Sequence, residues 1–362
     1  MTRLVLFLLL VTPIHAGPSE PGPAPRLTDR YGDPLPVGAI ARLGSLRLRH
    51  ADLTAFAFPP GGKTVVTVGG DRFIRTWDLE SGRPIRAVRL PGHVSCDRVT
   101  LTADGKTMAT HAQGEITICD AASGRVVQTF PRPNGYVDCL AISPNGSTLI
   151  FGIGGHLVTL IEIPGGARRE VRVADPPAPY TGRRVHPLLQ PHFSRDGRRL
   201  LVTGMNGPKG FSVLDVATGR ELFSRPGNPT AAALSADGNR VAAIGLTKTD
   251  RDLAPVVRLF DVQAGKEIAQ LTPDIGRGEV DIHFSADDKA LICLGSRGGG
   301  YFDPLTGRLV RKLPVGVRGA PSPDGRWIAD WDMCRLHVWD AVTGRKLHDS
   351  PGLFRFGARA AS

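Results

Sequence analysis

Tyr180, Arg183, Arg184 and His186 fall within seven residues of one another in the proline-rich stretch 176–187. An aromatic anchor beside fork-shaped guanidinium donors suits recognition of a partner's surface and not bond making. Lys248 and Arg251 stand in a second polar stretch, residues 247–255. The inner strands are largely apolar, with Asp281 and His283 as titratable exceptions. Beyond these the chain offers little chemistry. It has no Gly-x-Ser-x-Gly elbow, no His-Glu-x-x-His, no phosphate loop ending in Gly-Lys-Ser/Thr and no Cys-x-x-Cys. Two glycine-rich stretches, 151–156 and 298–300, are not followed by a helix pattern, whose amide-rich start a phosphate needs. No cofactor and no metal site are expected.

The elements that must position these residues repeat. Seven times an acidic residue is followed four residues later by glycine, from Asp78 and Gly82 through Asp120 and Gly124, Glu162 and Gly166, Asp215 and Gly219, Asp261 and Gly265, Asp303 and Gly307 to Asp340 and Gly344. Steps of 42, 42, 53, 46, 42 and 37 residues mark a repeat architecture. Each unit carries a second mark 15 to 23 residues earlier, such as Asp104-Gly105, Asn145-Gly146 or Asp324-Gly325. These are tight turns, because Asp or Asn and then Gly tolerate the backbone such turns require. The runs between them, such as Thr64–Val68 and Phe73–Trp77, are rich in β-branched and aromatic residues. Each unit therefore reads as four short antiparallel strands, a to d from the inside outward. One such sheet cannot bury both faces, so the units must stack, and seven close radially. The expected fold is all-β, a seven-bladed β-propeller of four-stranded antiparallel blades.

Ser322-Pro323-Asp324-Gly325, Ile74-Arg75-Thr76-Trp77-Asp78 and Val338-Trp339-Asp340-Ala341-Val342-Thr343-Gly344 resemble WD-repeat (WD40-type) proteins over roughly residues 38–350. The resemblance implies a hydrogen-bonded tetrad, which by position would be His50, Thr67, Asp71 and Trp77 in the first blade. Elsewhere the pattern decays, with Cys119, Leu214, Phe260 and Phe302 at the tryptophan position; these are expected in the core. The strand ends also resemble exported YVTN-type propellers. The segment from Gly32-Asp33-Pro34 to Arg42-Leu43-Gly44 resembles the lead-in of bacterial exported WD-repeat proteins.

Met1–Ala16 reads as a signal peptide: a positive start, a short apolar run and a small-residue cleavage point. Its eight apolar residues are too few to span a membrane. The expected organisation is then signal peptide 1–16, proline-rich leader 17–37, propeller 38–350 and tail 351–362, in a secreted or periplasmic monomer with no transmembrane anchor in the mature chain. Five scattered cysteines suit small buried hydrophobes better than a disulfide framework. The net charge is +11, and 37 of the 45 basic residues are arginine, spread over nearly every blade. That distribution argues against a specific nucleic-acid face.

Alternating strand direction places b-to-c and d-to-a connections on one face of the propeller, and a-to-b and c-to-d turns on the other. From turn glycine to acidic residue the fifth unit spans 23 residues against 15 to 18 elsewhere, owing to 247–255, and the third-to-fourth connection is lengthened by 176–187. Both insertions share the first face. Tyr180, Arg183, Arg184, His186, Lys248 and Arg251 are thus the candidate partner-binding residues. Residues 44–50 and 345–348 compete to supply the outer strand of blade seven, and the N-terminal segment is the expected one. The functional expectation is a non-catalytic interaction scaffold binding a protein or anionic polymer. The alternative is a lactonase- or lyase-like enzyme with its site at the channel mouth.

Overall fold

The computed structural model describes residues 27–347 apart from 30, 31, 36, 38, 41–45, 93, 95–97, 113, 114, 132–136, 154–156, 174–188, 204–209, 228, 249–252, 277–279, 314–318 and 332–334. The chain divides into two units, Met1–Ser45 with Ser350–Ser362, and Leu46–Asp349. In the first, Thr28 bridges Pro34, and the Asp29 carboxylate accepts the Asp33 N–H at 2.9 Å.

The second unit is a seven-bladed propeller, and among the described residues it contains no helix. Strands a to d are Leu53–Ala57, Thr64–Gly69, Phe73–Asp78 and Pro84–Arg89 in blade one. Blade two has Arg98–Leu101, Thr107–Ala112, Glu115–Asp120 and Val126–Phe130; blade three has Val137–Ile142, Thr148–Ile153, Leu157–Glu162 and Arg168–Arg172. Blade four has Leu189–Phe193, Arg199–Thr203, Phe211–Asp215 and Glu221–Arg225; blade five has Ala231–Leu234, Arg240–Lys248, Leu253–Asp261 and Lys266–Leu271. Blade six has Asp281–Phe284, Leu291–Gly295, Gly298–Phe302 and Leu309–Leu313. Among the described residues blade seven has a to c only, Ala320–Pro321, Trp327–Trp331 and Leu336–Asp340. Each sheet is sandwiched between two others, so strands b and c are covered on both sides. Leu291–Gly295 is buried throughout, whereas the outer strand Arg168–Arg172 alternates between exposed and half-buried.

The repeated marks are two self-contained turns. At the end of strand c the Asp78 carboxylate accepts the Ser81 N–H and hydroxyl, both at 2.7 Å, and Gly82, at φ 69°, returns its N–H to the Asp78 carbonyl. The left-handed φ is why the fifth position is glycine. Between strands a and b a buried hydroxyl does the work. Ser194 Oγ donates to Asp196 at 2.6 Å and accepts the Arg199 N–H at 2.9 Å. Thr102, Ser143, Ser235, Ser285 and Ser322 do the same in their blades. The serine or threonine two positions before the turn Asp or Asn is thus as regular a mark as the Asp-Gly pair.

These turns also lock neighbours together. Arg199 donates to the Gly238 carbonyl at 2.9 Å, Arg240 to that of Asp288 at 3.0 Å, and the Tyr301 hydroxyl to that of Gly325 at 3.1 Å. The Trp327 indole N–H reaches the Gly62 carbonyl at 2.8 Å. Each bond runs from one blade to the a-to-b turn of the next, and the last joins blade seven to blade one.

The seam itself is shared by both chain segments that compete for it. Lys346 bridges Trp339, and the Leu347 N–H donates to the Val338 carbonyl at 2.7 Å. Farther along the same edge Arg49 bridges Arg335, and the Leu336 N–H donates to the Leu48 carbonyl at 3.0 Å. Both segments run antiparallel to strand c, so they lie end to end as two halves of one outer strand. The expectation of the N-terminal segment alone is therefore half of the answer. A second refinement concerns blade five, where 247–255 is not a free loop: strands b and c continue to Lys248 and resume at Leu253, in register from Arg240 and Asp261 to Lys248 and Leu253. The result is a two-stranded arm, because the alternating run on each side of 249–252 continues the ladder beyond the reach of strand d.

Leu48 is 2% exposed in a core shared by Trp77, Trp327, Leu336 and Val338. Leu48→Ala is expected to lower unfolding free energy by about 2–5 kcal/mol in urea melts. Ending the chain at Gly344 should lower it as well, by removing the other half of the strand; an unchanged melt in either variant shows that its half does not carry closure.

Candidate functional site

In blade one four side chains form a continuous chain of hydrogen bonds. Trp77 Nε1 lies 2.7 Å from Thr67 Oγ1, Thr67 Oγ1 is 2.7 Å from His50 Nδ1, and His50 Nε2 is 3.0 Å from an Asp71 carboxylate oxygen. The indole N–H can only donate and an ionised carboxylate can only accept, so the direction is fixed. Trp77 donates to Thr67, Thr67 donates to Nδ1, and a neutral imidazole with its proton on Nε2 donates to Asp71. Burial pushes the His50 pKa down from 6.5 to about 4, helped by the positive charge of Arg75 and opposed by Asp71. Asp71 also accepts Arg75 Nη1 at 2.7 Å and the Phe73 N–H at 3.1 Å. Gly69 makes room: a Cβ there would stand 2.3 Å from the Ala51 carbonyl oxygen and 2.7 Å from the His50 ring. The four side chains partner one another in sequence, so the tetrad is a structural clamp.

The face carrying the b-to-c and d-to-a connections is where the sequence placed a partner. Tyr180, Arg183, Arg184 and His186 lie outside the described residues, as does Arg251. The backbone of Lys248 is described and ends strand b of the blade-five arm. On the same face the structure adds Trp331, at the end of strand b in blade seven. It is 41% exposed, and its ring meets Phe56 edge-on at a centroid distance of 5.3 Å. Nothing in the sequence singles it out, since Trp331 ends a strand whose spacing follows the repeat.

Asp281 and His283 lie on strand a of blade six, at the channel. Both are tied to one residue of blade seven: the Gly319 N–H donates to Asp281 at 2.9 Å, and His283 Nε2 lies 3.0 Å from the Gly319 carbonyl oxygen. His192, on strand a of blade four, is near enough for His283 to oppose its protonation. Burial, foremost, holds both imidazoles at about 4, and both residues are half-buried. Burial raises the Asp281 pKa. A carboxylate and an imidazole committed to the same backbone unit are poorly placed to exchange protons with a substrate. Among the described residues no three His, Cys, Asp or Glu side chains are grouped to hold a metal ion. The described cysteines 119, 139 and 293 are buried thiols, and burial pushes Cys119 to about 11 and Cys293 to about 12. Cys119, Leu214, Phe260 and Phe302, at the tryptophan position of their blades, are all buried.

Two measurements check the clamp. Thr67→Val keeps the shape but strands the Trp77 N–H and His50 Nδ1, and should cost about 1–3 kcal/mol for each polar group left unpartnered. As pH falls, the unfolded chain protonates His50 near 6.5 and the folded chain not until about 4. The clamp's contribution is therefore complete above pH 6.5 and is lost between 6.5 and 4, on the order of 3 kcal/mol. The stability difference between wild type and His50→Gln should shrink across that window; a pH-independent difference shows that the imidazole is not held neutral.

A family model described as "WD domain, G-beta repeat" matches residues 43–78, which are the closing N-terminal segment and strands a to c of blade one. The chain is 28% identical over 118 residues to the probable U3 small nucleolar RNA-associated protein 18 of Schizosaccharomyces pombe. That match takes in 31% of this chain and only 23% of the yeast protein, so it spans less than a quarter of that protein's length. Hydrazine synthase of Kuenenia stuttgartiensis is similar in fold, with a TM-score of 0.58 and 15% identity over 82% of this chain and 94% of that one. At that identity the likeness speaks for the fold alone. The chain is thus a seven-bladed propeller whose first blade carries a WD-type repeat, tetrad included.

Proposed function

We propose that this protein is a non-catalytic interaction scaffold of the extracytoplasmic space that binds a protein partner through the face bearing the blade-five arm. The contrast between the two faces carries this reading. On the turn face the backbone and side-chain donors satisfy one another: Asp120 caps Ser123, Asp215 caps Thr218, and these bonds hold both carboxyls below the usual carboxylate range. Such a face has little left to offer a partner. The opposite face carries strands b and c of blade five, nine residues each where the other blades have five or six, and the exposed Trp331. Aromatic anchors on a rigid scaffold are the usual energetic centres of protein interfaces. The resemblance of the first blade to WD repeats favours a protein over an anionic polymer. The amino-terminal segment read as a signal peptide supports the compartment, and residues 176–187 belong to the same proposed surface.

Affinity purification with cross-linking from the envelope fraction tests this. A captured protein, once purified, should bind the wild-type chain directly. Replacing 247–254 by a two-residue turn, or Trp331→Ala, should weaken that binding at least tenfold, while Leu305→Ser on the turn face should leave it unchanged. Equal binding by the arm-less variant overturns the choice of face.

A further inference from the structure

We propose that the cleft between blades four and five is a binding site for a free α-amino acid with a large apolar side chain. The cleft measures about 360 Å3, within the roughly 300–1,000 Å3 of small-molecule sites. Phe211 and Phe260, 4% and 6% exposed, form its floor. With Phe223 they make a three-ring cluster whose centroids lie 5.6, 5.7 and 5.9 Å apart. Arg225 is part of the wall: its guanidinium sits 4.8 Å above the Phe223 ring and donates to the Gly265 carbonyl. The floor is rigid and apolar.

The rim carries two charges of another kind. Arg258 pairs across the sheet with Ala243, which belongs to the core between blades four and five, so its side chain leaves the sheet toward the cleft. Glu267 stands opposite Phe260 and lines the same space. Among the described residues neither Arg258 nor Glu267 has a hydrogen-bond or ion-pair partner. One open cation and one open anion beside an aromatic floor complement a zwitterion. The carboxylate of an α-amino acid fits the fork of Arg258, its ammonium fits Glu267, and its side chain lies on the two rings. A ligand with one charge uses only one of the two rim groups, so the pair favours a zwitterion over simple acids and amines. Gly245 keeps the entrance open: a Cβ there meets no atom within 4 Å, and its direction, two residues on from Ala243, is into the cleft.

The cleft lies at the root of the arm and not at its tip, so this site stands or falls apart from the partner surface. Calorimetric titration of the full chain with L-phenylalanine, 3-phenylpropionate and phenethylamine tests it. L-phenylalanine should bind at one site, with the two single-charge analogues at least tenfold weaker. Gly245→Leu should abolish the signal without lowering the melting temperature. Arg258→Gln and Glu267→Gln should each weaken binding at least tenfold and remove the preference for the zwitterion. Absence of binding by L-phenylalanine, L-leucine and L-tryptophan overturns the proposal. So does binding that survives Gly245→Leu, or equal affinity for 3-phenylpropionate.

Discussion

Everything in this fold depends on closing the ring. A four-stranded blade has two apolar faces, and only a neighbour on each side keeps both from water. Six of the seven junctions come without effort, because consecutive blades are joined by the chain. The seventh must be made between residues far apart in the chain, 265 positions in the case of the Trp327 to Gly62 bond. Loop-closure entropy opposes that contact, and the structure meets it with several interactions at one place: a spliced outer strand, a shared core around Leu48 and Trp327, and the same kind of strand-to-turn hydrogen bond that links blades four to seven.

The repeated turns explain why the two faces differ. A cap built from Asp, Ser or Thr and Gly satisfies its own donors within five residues, and can be copied in each unit without regard to its neighbours. A face made of such caps is uniform and chemically quiet. The connections of the other face have no such rule, since they join strands whose hydrogen bonds are already complete. They can lengthen into an arm or end in an exposed tryptophan without disturbing the sheets, and variety accumulates there.

The same physics governs what the sequence disclosed. The blades were legible because both turn types need particular residues at fixed spacing, and because period-two and continuous apolar runs separate outer from inner strands. The tetrad was legible through its family resemblance. The spliced outer strand was not, because residues 44–50 and 345–348 both read as strands, and pattern cannot divide one edge between two segments. Nor was the cleft, whose parts come from positions as far apart as Phe211 and Glu267 and look individually like core aromatics and surface charges. Phe260 is expected in the core and is buried, yet it also lines the cleft. Burial of a residue does not tell which of its neighbours is empty. The arm is hidden in the sequence because its polar residues mask the ladder that Arg240–Lys248 and Leu253–Asp261 form.

Among the described residues one complete tetrad in seven blades is at first sight a remnant. Its position argues for a purpose. His50 follows Leu48 by two residues, on the segment that completes the edge of blade seven, and its imidazole is bonded to Thr67 and Asp71 of blade one. Leu48 and Asp52 on either side of it have left-handed φ of 50° and 49°, a conformation that aspartate tolerates but that strains a leucine. The Leu48 N–H also donates to the Gly82 carbonyl of blade one at 3.1 Å. The closing segment is therefore pinned to blade one by the tetrad while its edge pairs with blade seven. Interior blades, joined to both neighbours by the chain, have no such segment to hold, and there the tryptophan position can become Cys119, Leu214, Phe260 or Phe302 as long as it stays apolar. The complete tetrad is found at the junction where the chain supplies no covalent link.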